Sequence, residues 1–270
     1  MIALSTVLSL FKLAEMPYGG SVTLASMLPM IIISYRHGIF WGLGAGSVYA
    51  AIQQLLGLNN LSYVTGWQSV LAVIMLDYML AFMATSLGGV FRGKLKSEGK
   101  PKAFLQSREI ALGAFLCCVV RYLFHTVAGA TVWKGLSIPT QAALVYSIGY
   151  NATYMIPETV VNVAVAIYIG GIIEFTKNLP TRFSSKDALH KFKGVSSLLP
   201  YISAFLVFGA VITDAVLIFP HLQNAENGEF TFAHIAEAPW VAVAVITAVC
   251  LLLSLVSLLW WKIAVAKEQK

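Results

Sequence analysis

The chain reads as an all-α integral membrane protein, and three observations carry that reading. Of its 270 residues, 58% are hydrophobic and only 11% are charged, where a soluble domain carries about 25% charged residues. Its mean hydropathy is +0.78. Its apolar residues gather into eight segments, at approximately 1–14, 22–35, 38–57, 69–91, 110–132, 142–174, 198–220 and 239–262, most of them near the ~20 residues that a spanning helix needs.

Taken in order, segment one is short for a span and is expected either to begin within the interface or to lack upstream residues. No cleavable leader is expected, because no charged stretch or small-residue cleavage site precedes the first apolar run. Segment two opens after Pro17-Tyr18-Gly19-Gly20. Its entry should be irregular, with the backbone satisfied inside the bundle rather than by lipid. In segment three, Gly42, Gly46 and Ala50 recur every fourth residue. Small residues on one face let another helix approach closely, either within the bundle or as a docking face for a separate subunit, which Ala3 and Val7 would extend weakly. Segments four to six carry the polar groups considered below. Segment seven holds Asp214, for which the sequence offers no evident partner. Cys117, Cys118 and Cys250 all fall in apolar runs without metal-ligand spacing and suit small buried core residues. No metal site and no nucleic-acid partner is expected. The chain has no Walker motif.

Orientation follows from the loops. Basic residues concentrate around Arg36, at 92–109, at 177–193 and after segment eight. The alternate loops at 58–68, 133–141 and 221–238 hold Lys134 as their only Lys or Arg. The positive-inside rule then places both termini in the cytoplasm, with eight spans. The net charge of +6 is accounted for by these loops rather than by an acidic partner. Residues 175–197 read as a linker to a C-terminal helical pair.

Depth can be estimated from a rise of ~1.5 Å per helical residue. Asp77 lies about 12 Å below the outer end of its segment, His125 about 10 Å and Asn151 about 13 Å. Three polar groups from three helices therefore share a level, with Trp67, Trp133 and Tyr146 at or above it. At membrane depth such groups face a bundle interior or a cavity. A carboxylate, ring faces from Trp67, Tyr78, Trp133 and Tyr146, and the donor and acceptor of Asn151 suit a flat, polar-edged cation. The two tryptophans also suit an interface belt, and His125 a hydrogen-bonded core position. Arg121, about 17 Å down, and Glu158, about 24 Å down, read as a structural ion pair. No catalytic motif is present.

Four stretches carry a resemblance: MPYGGSVTLASMLPMIIISYRHG at 16–38, LDYMLAF at 76–82, RYLFHTVAGATVW at 121–133 and LVYSIGYNATYMIPE at 144–158. In order and spacing they resemble the thiamine-specific S components of energy-coupling factor (ECF) transporters, the ThiT or YuaJ family. The likeness covers residues 1 to about 178. It implies a six-helix S-component bundle with a thiamine pocket near the outer face, capped by the loop between the first two helices. Two extra transmembrane helices would follow in 179–270. It further implies a thiamine-capture subunit of a bacterial cell-membrane importer, partnered by a transmembrane coupling subunit and two ATPases. In its terms Asp77, standing where the family has Glu, complements the ligand's charge. Tyr78 faces the hydroxyethyl end, and His125 and Trp133 stack on the aminopyrimidine. Tyr146 and Asn151 bond its edge, and Trp67 flanks the thiazolium. Gly42 and Gly46 match in kind the small-residue face that meets the coupling subunit. The alternatives are an S component for another vitamin or for a pyrimidine precursor, an intramembrane enzyme using Asp77 and His125 as acid and base, and a stand-alone carrier with Asp214 as its proton site.

Overall fold

The computed structural model describes residues 1–16, 20–95, 102–134, 142–184, 199–222 and 233–268. Helix α1 (Ile2–Leu10) leads into a hairpin of β1 (Lys12–Glu15) and β2 (Ser21–Thr23). The strands pair antiparallel, Lys12 opposite Thr23 and Glu15 opposite Ser21, with an irregularity between Lys12 and Ala14. Then come α2 (Leu28–His37), α3 (Ile39–Leu56) and a short turn of tighter helix at Leu58–Tyr63. Helix α4 runs from Trp67 to Gly89. It is followed by α5 (Lys102–Thr131), α6 (Ala143–Ile172), a two-residue ribbon of β3 (Ile173–Glu174) and β4 (Thr181–Arg182), and the pair α7 (Leu199–Ile218) and α8 (Trp240–Glu268).

Among the described residues, five helices are long and apolar enough to cross a bilayer: α3, α4, α5, α6 and Trp240–Trp261 of α8. They fall in segments three, four, five, six and eight of the expected eight. Segments one and two contain helices of only 9 and 10 residues, against the ~20 that spanning requires. The length between them goes into the hairpin, whose backbone is paired strand to strand. Segment seven is the 20-residue apolar helix Leu199–Ile218, long enough for the ~20 residues that spanning requires. Helix α5 begins at Lys102, eight residues before the expected start, so Arg108 and Glu109 belong to it; Glu109 is buried and accepts from the Tyr35 hydroxyl at 2.7 Å.

Small residues set the helix spacings. A Cβ on Gly113 of α5 would stand 2.2 Å from the Gly88 carbonyl oxygen of α4. One on Gly170 of α6 would stand 3.0 Å from Ser107 Cα. The stripe Gly42, Gly46 and Ala50 faces inward in the same way. A Cβ on Gly42 would meet Ser34 Cβ at 2.7 Å and Ser86 Cα at 2.9 Å, and Ala50 is fully buried. The expectation of a docking face at Gly42, Gly46 and Ala50 is therefore corrected: their small size is used to seat α3 against α2 and the end of α4. The exposed face of α3 is instead Trp41, Gly44, Val48 and Leu55.

The C-terminal pair is closed by hydrogen bonds between apolar helices. Ser203 and Ser254 hydroxyls lie 2.6 Å apart, and Ser257 donates to the Leu199 carbonyl at 2.8 Å. Thr247 donates to Asp214 Oδ2, which supplies the partner that the sequence left unidentified. Cys117 and Cys118 are buried, whereas Cys250 is half-buried on α8.

Candidate ligand-binding site

A cavity of about 340 Å³ lies between the hairpin and helices α3 to α6, within the ~300–1,000 Å³ usual for small-molecule sites. Lys12, Glu15, Ser21 and Thr23 of the hairpin line it, as do Asp77, Tyr78, His125, Trp133 and Asn151 of the helices. The groups that helix position alone put at one level are in contact. His125 Nδ1 is 2.8 Å from Asp77 Oδ1. Trp133 Nε1–H donates to Asp77 Oδ2 at 2.8 Å. Asn151 Nδ2 donates to the His125 carbonyl at 3.3 Å and to the Ser147 carbonyl at 2.8 Å.

Local backbone geometry makes this possible. Residues Ile74–Leu80 of α4 are wound as π-helix, a wider turn that often marks functional positions. Both Asp77 and its neighbour Tyr78 thereby reach the cavity. The Tyr78 hydroxyl accepts from Asn60 Nδ2 at 3.0 Å and donates to the Gly57 carbonyl at 3.2 Å, tying α4 to the end of α3. At the end of α5, the N–H groups of Val132 and Trp133 both converge on the Ala128 carbonyl. This folds the chain back and leaves the Trp133 indole only 8% exposed. Gly129 lets α6 come close, since a Cβ there would lie 2.2 Å from Ser147 Oγ.

Arg121 does more than the sequence suggested. Its Nη1 is 3.9 Å from Glu158 Oε1, a long ion pair. Its Nε–H donates to His125 Nε2 at 3.1 Å, and its guanidinium stacks on Phe82 at 4.5 Å. Arg121 lines the cavity; Glu158 does not. Because arginine only donates, Nε2 of His125 must accept, which places the histidine proton on Nδ1 facing Asp77. His125 is thus a neutral relay between Arg121 and Asp77.

Two sequence-derived site residues stand outside. Trp67 is 74% exposed and absent from the cavity wall. As the first residue of α4 it stands ten residues, or ~15 Å of rise, from Asp77. Tyr146, in the first turn of α6, is half-buried against the core rather than lining the cavity. Tyr150 and Tyr154, one and two turns further in, line it instead. Tyr154 donates to Asn151 Oδ1 and packs edge-on against His125, ring centroids 6.0 Å apart. The spacing of four from Tyr146 to Tyr150 to Tyr154 was the signal for these two. Lys12 and Glu15, an ion pair at the cavity wall, gave none, since Lys12 lay inside the first apolar segment and Glu15 just past its end.

Comparison with known proteins adds the following. Residues 1–176 match the family model described as thiamine transporter protein (Thia_YuaJ). "Thiamine transporter ThiT" of Bacillus subtilis (strain 168) is 30% identical over 151 residues, which cover 54% of this chain and 73% of that protein. With its apolar helices, the chain is a multi-pass membrane protein. Over the larger part of its length it belongs to the thiamine transporter family (Thia_YuaJ), whose members are transporters and not enzymes.

Proposed function

We propose that this chain captures thiamine from the outside in the cavity bounded by Asp77, His125, Trp133 and Asn151, as the S component of an ECF-type importer. One observation carries the reading. Lys12 pairs with Glu15, and Arg121 faces Glu158. Asp77, whose Oδ1 and Oδ2 meet neutral ring N–H groups, has no Lys or Arg partner among the described residues. The cavity thus holds one carboxylate unmatched by a cation, among aromatic faces. An aromatic cation such as thiamine supplies the missing charge and stacks on the rings. In this reading Tyr78 and Tyr154 shape the wall, and Arg121 orients His125. Residues 1–178 form the capture bundle and 179–270 an added helical pair. Both termini lie in the cytoplasm of a bacterial cell, and a coupling subunit with two ATPases supplies the energy.

Trp133 gives a direct test. It is the one tryptophan, of six in the chain, that lines the cavity. Titrating thiamine into the purified protein should quench tryptophan fluorescence saturably. Trp133→Phe should remove most of that quenching, while Trp67→Phe keeps it with a Kd within about twofold. Quenching that survives Trp133→Phe but is lost with Trp67→Phe would overturn the assignment of the site.

The stand-alone carrier reading is separable. Asp214 bonds Thr247 between α7 and α8 and does not line the cavity. Asp214→Asn should leave thiamine affinity within about twofold of the parent protein, measured by equilibrium dialysis. Uptake into vesicles that lack any ATPase, abolished by the same change, would favour the carrier.

A further inference from the structure

Glu158 has no exposed surface and does not reach the cavity, yet its contacts cross 135 residues of sequence. Its Oε2 accepts the backbone N–H of Thr23 at 2.6 Å. Its Oε1 lies 2.9 Å from Thr23 Oγ1 and 3.2 Å from Asn162 Nδ2. Thr23 is the last residue of β2, the strand whose Ser21 and Thr23 line the cavity. Two residues on, Ala25 sits in the left-handed region at φ 54°, with its N–H bonded to the Thr23 carbonyl at 2.9 Å. A side chain in that region is strained and persists only where surrounding contacts fix it. The hydroxyls of Thr23 and Ser26, 2.7 Å apart, close the same turn. The inner end of the hairpin is therefore hydrogen-bonded to α6 through one buried carboxylate.

The same carboxylate faces the polar chain of the site. Arg121 stands 3.9 Å from Glu158, donates to His125, and His125 meets Asp77, which in turn accepts from Trp133. We infer that Glu158 is a positioning residue that fastens the hairpin over the occupied cavity, through Thr23, and sets the orientation of His125, through Arg121. It never touches the ligand. Its effect falls on how long a ligand stays rather than on how often one arrives. The inference rests on the thiamine-capture reading for its ligand, but the fastening itself belongs to the ligand-free protein.

The test uses the full chain in detergent with two variants. Glu158→Gln keeps the side-chain volume but turns an amide toward Thr23. Thr23→Ala removes the hydroxyl and keeps the backbone donor, so it is the milder change should Glu158→Gln fail to fold. Stopped-flow fluorescence with thiamine should show dissociation about tenfold faster in Glu158→Gln and about threefold faster in Thr23→Ala, with association changed less than about twofold. The double variant should dissociate no faster than Glu158→Gln alone, since both changes cut one contact. Amide exchange without ligand should rise at residues 20–24 in Glu158→Gln and stay unchanged in α5. Unchanged dissociation with a lowered melting temperature, or rate effects that multiply in the double variant, would reduce Glu158 to a packing residue. If the parent protein fails to bind thiamine, the thiamine reading falls, and the exchange result alone decides the fastening.

Discussion

Asp77→Asn should weaken thiamine binding by roughly 30-fold to several thousand-fold, the equivalent of about 2–5 kcal/mol for removing one partner of a buried, hydrogen-bonded charge pair. The substitution keeps the shape of the side chain. It removes the one cavity carboxylate that lacks a cationic partner and turns an amide N–H toward a ring N–H of His125 or Trp133. Two donors then compete where each had an acceptor, an unsatisfied contact worth about 1–3 kcal/mol before any ligand enters. A charge-based site makes a sharper demand. The parent protein should prefer thiamine, which carries a positive ring, over its neutral hydroxymethylpyrimidine half. In Asp77→Asn that preference should shrink by at least about tenfold, because the neutral ligand never used the charge. Asp77→Glu, which keeps the charge, should retain most of it. Equilibrium dialysis of both ligands against the three proteins measures this. An Asp77→Asn variant that binds thiamine within threefold of the parent would remove the charge argument for the site.

How much of this was legible beforehand differs between helix interiors and helix ends. Asp77, His125 and Asn151 could be brought to one level by counting residues, because rise per residue is nearly constant within a long helix. Their direct contacts depend on side-chain direction, and for the rings the count failed twice. Trp67 and Tyr146 have the right chemistry but stand too far toward the helix start, Tyr146 by one turn from Tyr150 and Trp67 by ~15 Å of rise from Asp77. Each stands in the first turn of its helix, short of the level at which the same helix reaches the cavity. The π-helical turns at Ile74–Leu80 could not be read from composition, since no proline or glycine marks them. The hairpin was missed for a related reason. Residues 12–15 and 21–23 continue apolar runs that look helical, and only their pairing with each other, a non-local event, makes them strands. The glycine stripe of α3 was seen correctly as a close-packing face. Sequence could not say what packs against it, and its neighbours proved to be Ser34 and Ser86 of the same chain.

Gly113→Ala should be among the most damaging single methyl additions in the bundle, and Gly44→Ala should be harmless. At Gly113 the added Cβ would stand 2.2 Å from the Gly88 carbonyl oxygen, 2.9 Å from its carbonyl carbon and 3.0 Å from its Cα. All three are backbone atoms, so no rotamer change can make room and the two helices must separate. Overpacking of this kind costs about 1–3 kcal/mol or more, enough to lower the melting temperature by roughly 2–12 °C in a chain of this size. At Gly44, on the same kind of apolar helix, nothing lies within 4 Å of the new atom. Alanine there should be neutral or gain up to ~1 kcal/mol from helix propensity. The pair matters for function because Gly88 and Gly113 lie on the helices that carry Asp77 and His125. Eleven residues separate Gly88 from Asp77 and twelve separate Gly113 from His125, about 17–18 Å of rise on each helix. A crossing pried apart at one end tilts the helices against each other, and the 2.8 Å contact between His125 and Asp77 has no slack to absorb it. Gly113→Ala should therefore weaken thiamine binding without touching the cavity, and Gly44→Ala should not. Thermal denaturation and thiamine titration on both variants decide the point: a Gly113→Ala protein as stable as the parent would mean that the close α4–α5 crossing does not set the geometry of the site.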